Sequence, residues 1–234
     1  MTVAEMQFEF EILIQTMWEG FKELERPNTY TVLRFLNLAQ NRYIKEKYLS
    51  NPDMRANIEF VRKRSDDLRN LIKRYGTTSP VLSHPATGAS NRVIITLPSD
   101  YLFYIRSDSR VTRTALPVVT QQWTPNRETN YDEIFNIETG IYNTPILPHP
   151  IIVFEESDRL VIYYDSYTSI TGYEVTYLRK PKTLVIDDAG SDETIECELA
   201  YHTHEEVTRM AAEMYTVEYK FRLAQKTDQE TNTQ

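Results

Sequence analysis

Apolar residues recur along this chain with two different periods, and the change of period divides it. Val3, Met6, Phe10, Leu13, Met17 and Leu24 fall on one helical stripe, which Ile14, Trp18 and Phe21 widen, while the glutamates mostly face away. Pro27 disfavours helical geometry at Arg26 and ends this helix near Glu25. Asn28, Thr29 or Thr31 can then cap a second helix running to about Leu49. Its apolar set, Leu33, Leu36, Ala39, Tyr43 and Ile44, is flanked by Val32, Phe35 and Tyr48, which predicts burial on more than one side. Asn51 and Pro52 are a start signal for a third helix. In it Met54, Ile58, Val61, Leu68, Ile72 and Tyr75 keep the helical step and Gly76 ends it. Links this short predict antiparallel packing. The helical period returns near the far end, where Thr203 and Glu206 read as a capping box. Val207, Met210, Ala211, Met214, Val217 and Phe221 are the predicted buried face of that helix, and Thr227–Gln234 is a flexible polar tail.

Between these ends the pattern suits sheet. Arg92–Leu97, Tyr101–Arg106, Arg110–Val119, Ile151–Phe154, Leu160–Tyr164, Gly172–Leu178 and Thr183–Ile186 read as strands, with a hairpin turn at Ser157-Asp158. Thr120–Ile146, with its prolines and asparagines, reads as a long excursion of the kind used as a contact arm. Asp187–Asp192 is an acidic turn, and Thr194–Cys197 adds a short edge strand. The expected class is α+β. A helical body, residues 1–76 and 199–226, carries a long antiparallel β-rich insertion, residues 77–198, and ends in the tail, residues 227–234.

Composition narrows the function more than the fold. Six glycines are too few for glycine-rich phosphate loops, whereas sixteen tyrosines suit half-buried sheets and subunit interfaces. A formal net charge of −8 argues against a protein whose task is to grip nucleic-acid phosphates. The single Cys197 has no internal disulfide partner, which fits a reducing compartment. Glu5, Glu9, Glu11 and Glu19 interrupt Met1–Phe21 and no basic segment precedes it, so neither a signal peptide nor a membrane span is expected there.

Candidate chemistry is sparse. His202 and His204, close to Glu205 and Glu206, are the best metal candidates, but further ligands at suitable spacing are missing, and helix initiation accounts for the same residues. His84 and His149 sit beside prolines with no nucleophile motif near them. Asp66-Asp67, Glu155-Glu156 and Asp187-Asp188 read as solvated acidic pairs. The cluster Arg62, Lys63, Arg64, Arg69, Lys73 and Arg74 is the one place where phosphate contact is chemically reasonable, although Asp66 and Asp67 dilute it. No catalytic, cofactor-binding or metal-binding residue is assigned, and no cofactor is implied.

Four segments carry a resemblance. Thr31–Leu49 (TVLRFLNLAQNRYIKEKYL) resembles the second helix of head-to-tail connector proteins of tailed bacteriophages. Leu97–Ser107 (LPSDYLFYIRS) and Tyr173–Leu184 (YEVTYLRKPKTL) resemble strand motifs of neck and tail ring proteins of crAss-like podoviruses, and Glu198–Tyr215 is similar to the opening of their C-terminal helix. Ala200 stands where that pattern has proline. The resemblance implies a non-enzymatic virion protein, synthesised in the host cytoplasm. It would form a homo-oligomeric ring of twelve copies between the portal and adjacent neck or tail rings, through which DNA passes without sequence-specific binding and without a membrane partner. Carboxylates at Glu9, Glu11, Glu19 or near Asp188 would then face the lumen. Two other classes remain open from the residues alone. One is a β-rich receptor- or carbohydrate-binding tail module, favoured by any exposed tryptophan (Trp18, Trp123). The other is a metal enzyme using His202 and His204.

Overall fold

A computed structural model describes residues 1–17, 27–49, 66–77, 84–85, 90–113, 121–130, 133, 150–155, 158–165, 168–186 and 193–231. The chain divides into two compact units, residues 1–71 with 181–234, and residues 72–180.

The first unit contains α1 (Val3–Met17), α2 (Thr29–Leu49) and α3 (His204–Thr231). A capping box that the sequence reading missed starts α1: Glu5 N donates to Thr2 Oγ1 at 3.2 Å and Thr2 N to the Glu5 carboxylate at 2.8 Å. Of the three candidate caps of α2, Asn28 serves, accepting from Thr31 N at 2.8 Å. The buried face of α1 is Val3, Met6, Phe10 and Ile14, and that of α2 includes Val32, Phe35, Leu36, Ala39, Tyr43 and Ile44. Tyr215 of α3 joins them, edge-on to Phe10 (5.7 Å) and to Phe35 (5.2 Å). Phe35 meeting Tyr215 while Lys47 meets Glu206 sets α2 antiparallel to α3.

Three expectations for the helices change. Met54, Ile58 and Val61 of the third predicted helix lie outside the described residues. Its predicted end is not helical: a 3-10 turn at Arg69–Leu71 leads into β1 (Ile72–Thr77). Pairing across to Tyr173–Leu178 decides this, and such pairing overrides a local helical period. Gly76 is therefore no helix stop. A Cβ there would collide with the Tyr173 carbonyl oxygen and lie 2.8 Å from Glu174 Cα, so the glycine permits close strand approach. The capping box at Thr203 does not form, because Thr203 sits in a 3-10 turn, Tyr201–Thr203, and its hydroxyl donates to Ala200 O at 2.8 Å. Helix α3 then runs past Lys226, where the polar tail was expected, to Thr231.

In the second unit the strands are β1, β2 (His84–Pro85), β3 (Ser90–Thr96), β4 (Tyr101–Arg113), β5 (Gln121–Pro125), β6 (Arg127–Glu128), β7 (Ile151–Glu155), β8 (Arg159–Asp165) and β9 (Thr168–Arg179). They form a four-stranded sheet, β1-β9-β4-β5, and a five-stranded sheet, β2-β3-β8-β7-β6. All pairs are antiparallel except β6 with β7. Val93, Ile95, Ile152, Leu160 and Ile162 of one sheet share a core with Ile170 and Val175 of the other. Ile151, Val153, Val161 and Tyr163 are also buried, so β8 is covered on both faces, and its near-continuous apolar run is explained.

The strand predicted at Tyr101–Arg106 and the described part of the one predicted at Arg110–Val119 are one, β4, which bulges against β9 and continues through Ser107–Ser109, while 114–119 lie outside the described residues. Ser107 can be buried there because Asn126 Nδ2 donates to its hydroxyl at 2.8 Å, with the Tyr104 hydroxyl 3.1 Å away. The predicted excursion Thr120–Ile146 opens as β5 and β6, and most of its remainder lies outside the described residues. Thr183–Ile186 and Thr194–Cys197 do not form strands. They meet at one bridge, Val185 with Ile195. Residues 187–192 lie outside the described set.

Candidate functional site

The densest group of ionisable side chains lies in the first unit, around Asp67. This carboxylate is 4% exposed and is approached by His202 Nε2 at 2.6 Å, the Tyr43 hydroxyl at 3.3 Å and Lys47 Nζ at 3.9 Å. Lys47 also pairs with Glu206 at 3.3 Å and lies 4.8 Å from the centre of the Tyr43 ring, within cation–π range. Burial first, and then the Asp67 and Glu206 carboxylates, push the Tyr43 hydroxyl well above its ordinary range. The result ties α2, the segment before β1 and the start of α3 together. A His–Asp pair orients an imidazole, but the hydroxyl that shares Asp67 with this one belongs to Tyr43, whose proton is held in place. The arrangement is a polar tie rather than an activated nucleophile.

His204 does not join His202. Buried at the start of α3, it has Nδ1 2.9 Å from Met1 O and Nε2 3.0 Å from Leu199 O. With both nitrogens turned to carbonyl oxygens, neither offers an approach to a metal. Among the described residues no group of three or more His, Cys, Asp or Glu could hold one. Cys197 is half-buried, and burial pushes its thiol up, away from the nucleophilic thiolate. The side chain of His84 and all of His149 lie outside the described residues, as do Glu156, Asp187 and Asp188. Glu155 accepts from the Tyr163 hydroxyl at 3.3 Å.

In the described part of the basic cluster, Lys73 and Arg74 are each turned to a carboxylate. Arg62, Lys63 and Arg64 lie outside the described residues. Lys73 pairs with Asp100 at 2.7 Å, and Arg74 pairs with Glu174 at 3.3 Å. Asp100, which also accepts from the Tyr177 hydroxyl at 2.8 Å, is held below the usual carboxylate range, chiefly by the Lys73 hydrogen bond.

Two hollows are lined by described residues. One, about 580 Å³, runs along the outer face of α2 beside residues 183–186. Asn37 builds its floor, donating to Leu184 O at 3.3 Å and accepting from Leu184 N at 2.8 Å, much as a neighbouring strand would. The other, about 290 Å³, lies on the four-stranded sheet, where Trp123 (44% exposed) stands among Arg74, Arg106, Asp108 and Glu174. Sequence reasoning flagged Asp67 and His202 separately but gave no sign that they meet, since they are 135 positions apart. No signal pointed to the α2 groove, because one of its walls comes from residues 183–186.

The comparison with known families bears on the whole of this arrangement. The family described as phage tail ring protein 3/4 matches residues 1–228. No curated protein matches the chain.

Proposed function

From the chain's membership of the phage tail ring protein 3/4 family, to which it belongs over residues 1–228, we propose a ring-forming subunit of a head-to-tail connector in a crAss-like phage. In this reading about twelve copies, the count that the family resemblance implies, close a ring that joins portal and capsid to the tail and lines the channel through which DNA passes. The observation that carries it is the length of the family match. Two physical features support it. The polar tie around Asp67 holds the helical unit together without providing catalysis. The net charge of −8 suits a channel that must release DNA. Glu9 and Glu11, half-buried on α1, are the described carboxylates proposed for the lumen; Glu19 and Asp188 lie outside the described residues. The test is the mass of the purified chain with portal protein present and absent. A ring-sized species supports the connector role, and a permanent monomer overturns it. A mainly basic lumen in the assembled ring would remove the acidic-channel part.

One observation favours a second reading, a carbohydrate- or receptor-contacting tail component: Trp123 stands exposed in a hollow with two ion pairs, Arg74–Glu174 and Arg106–Asp108. Binding of soluble glycans that disappears in Trp123→Ala would establish it, and glycan binding unchanged by that substitution would dismiss it.

A further inference from the structure

The apolar stripe of α3 outruns the core that it was expected to cover. Met210 and Met214 are half-buried, but Val217 and Phe221 are 69% and 63% exposed. At 100° per residue these four side chains share one face, which adjoins the face carrying Val207, Ala211 and Tyr215 and is centred about 90° from it. Beyond them Lys220, Arg222, Ala224 and Gln225 are all exposed, so this end of the helix projects from its unit. An isolated helical stretch of this length is marginal in water, and an apolar face on it is stable when something covers it.

The same unit carries a receptor of matching form. The groove outside α2 is walled by Tyr30, Leu33, Leu38, Leu184 and Ile186, with Arg34 at its rim, and Tyr30 is 75% exposed. From Thr29 to Asn41 it is about 18 Å long, and the four anchors of α3 span about 16 Å, at 1.5 Å per residue. Anchors spaced by four, three and four residues are how an amphipathic helix seats in an apolar groove. A ring built by rotation needs two different, complementary patches on each copy, and these two are different and complementary. The rims agree in charge as well. Among the described residues neither Arg34 nor Glu213, which flanks the stripe, has an ion-pair partner, and both are exposed. Phe8 (67% exposed) and Ile12 (44%) on α1 are the rival ridge, but they offer two anchors rather than four.

We infer that the projecting end of α3, through Met210, Met214, Val217 and Phe221, docks into the α2 groove of a second copy of this chain, with Glu213 facing Arg34. This rests on the ring reading above and names its lateral joint. The test uses the full-length chain with Cys197→Ser throughout. Under mild oxidation, a mixture of Val217→Cys and Leu38→Cys chains should give a disulfide-linked dimer, and a mixture of Phe8→Cys and Leu38→Cys chains should not. Val217→Asp/Phe221→Asp should weaken self-association by more than about tenfold with an unchanged melting curve. Arg34→Glu and Glu213→Arg should each weaken it, and the two together should restore it. Rings that form undiminished from Val217→Asp/Phe221→Asp, or cross-linking through Phe8 instead, would overturn the joint while leaving the ring reading intact. A wild-type chain that stays monomeric even with portal protein and gives no cross-link would overturn both.

Discussion

The sheet unit and the helical unit treat their apolar side chains differently. Among the described residues of 72–180 the large apolar side chains that reach solvent, Tyr75, Ile105 and Trp123, are 39–44% exposed. The edges are blunted too: β2 and β6 are two residues long, and β1 carries Lys73 and Arg74 in ion pairs. In the helical unit Phe8, Tyr30, Tyr201, Val217 and Phe221 are 63–75% exposed. A unit that consumes most of its described apolar surface internally offers a partner little. One that leaves it on a projecting helix and along a groove is prepared for association. The helical unit is therefore the part expected to make the ring, with the sheet unit free to serve other contacts.

The largest effect should come from charging either core. Leu36→Asp, at a fully buried site of the helical unit, should cost more than the roughly 2–5 kcal/mol of a Leu→Ala change, because a charge is buried as well. Ile162→Asp should do the same to the sheet unit. Segment-resolved amide exchange should show protection lost in residues 1–71 and 181–234 for the first and in 72–180 for the second. Loss spread over both units in either variant would erase the distinction.

Gly76→Ala comes next. The added methyl meets strand backbone at Tyr173 and Glu174, so β1 must shift against β9 at a cost of about 1–3 kcal/mol in denaturant unfolding. Asp67→Ala leaves the buried Tyr43 hydroxyl without its acceptor and should cost about 1–3 kcal/mol, with Asp67→Asn recovering part of it. That loss should appear in the helical unit alone.

The last effect is one of pH. Burial pushes the hydroxyls of Tyr173 and Tyr177 up to about 12, so the folded sheet unit keeps protons that the unfolded chain releases near pH 10. Their contribution is fully present below about pH 10 and is lost as pH rises toward about 12. Alkaline melting should thus weaken residues 72–180 over that interval, and Tyr177→Phe should flatten the dependence.

Local signals read well wherever one face of one element decided the outcome. The stripe Val3–Met6–Phe10 and the Asn28 cap belong to segments whose periods are unambiguous, and both formed. The candidate site was legible only in pieces. Asp67, His202 and the tyrosine–lysine pair on α2 come from three separate segments, and no spacing rule joins them. The stripe Met210–Phe221 was visible as a pattern, but its burial was misjudged, because periodicity marks an apolar face without saying which molecule covers it.

The sequence by itself determined helices at 3–17 and 29–49, the strand character of the middle, and the lack of a recognisable catalytic motif, since each depends on neighbours a few residues away. Tertiary structure alone decided that 72–77 is a strand and that α3 outreaches its own core. The first depends on β9, about a hundred residues away, and the second on how far α1 and α2 reach along α3, which no local pattern records.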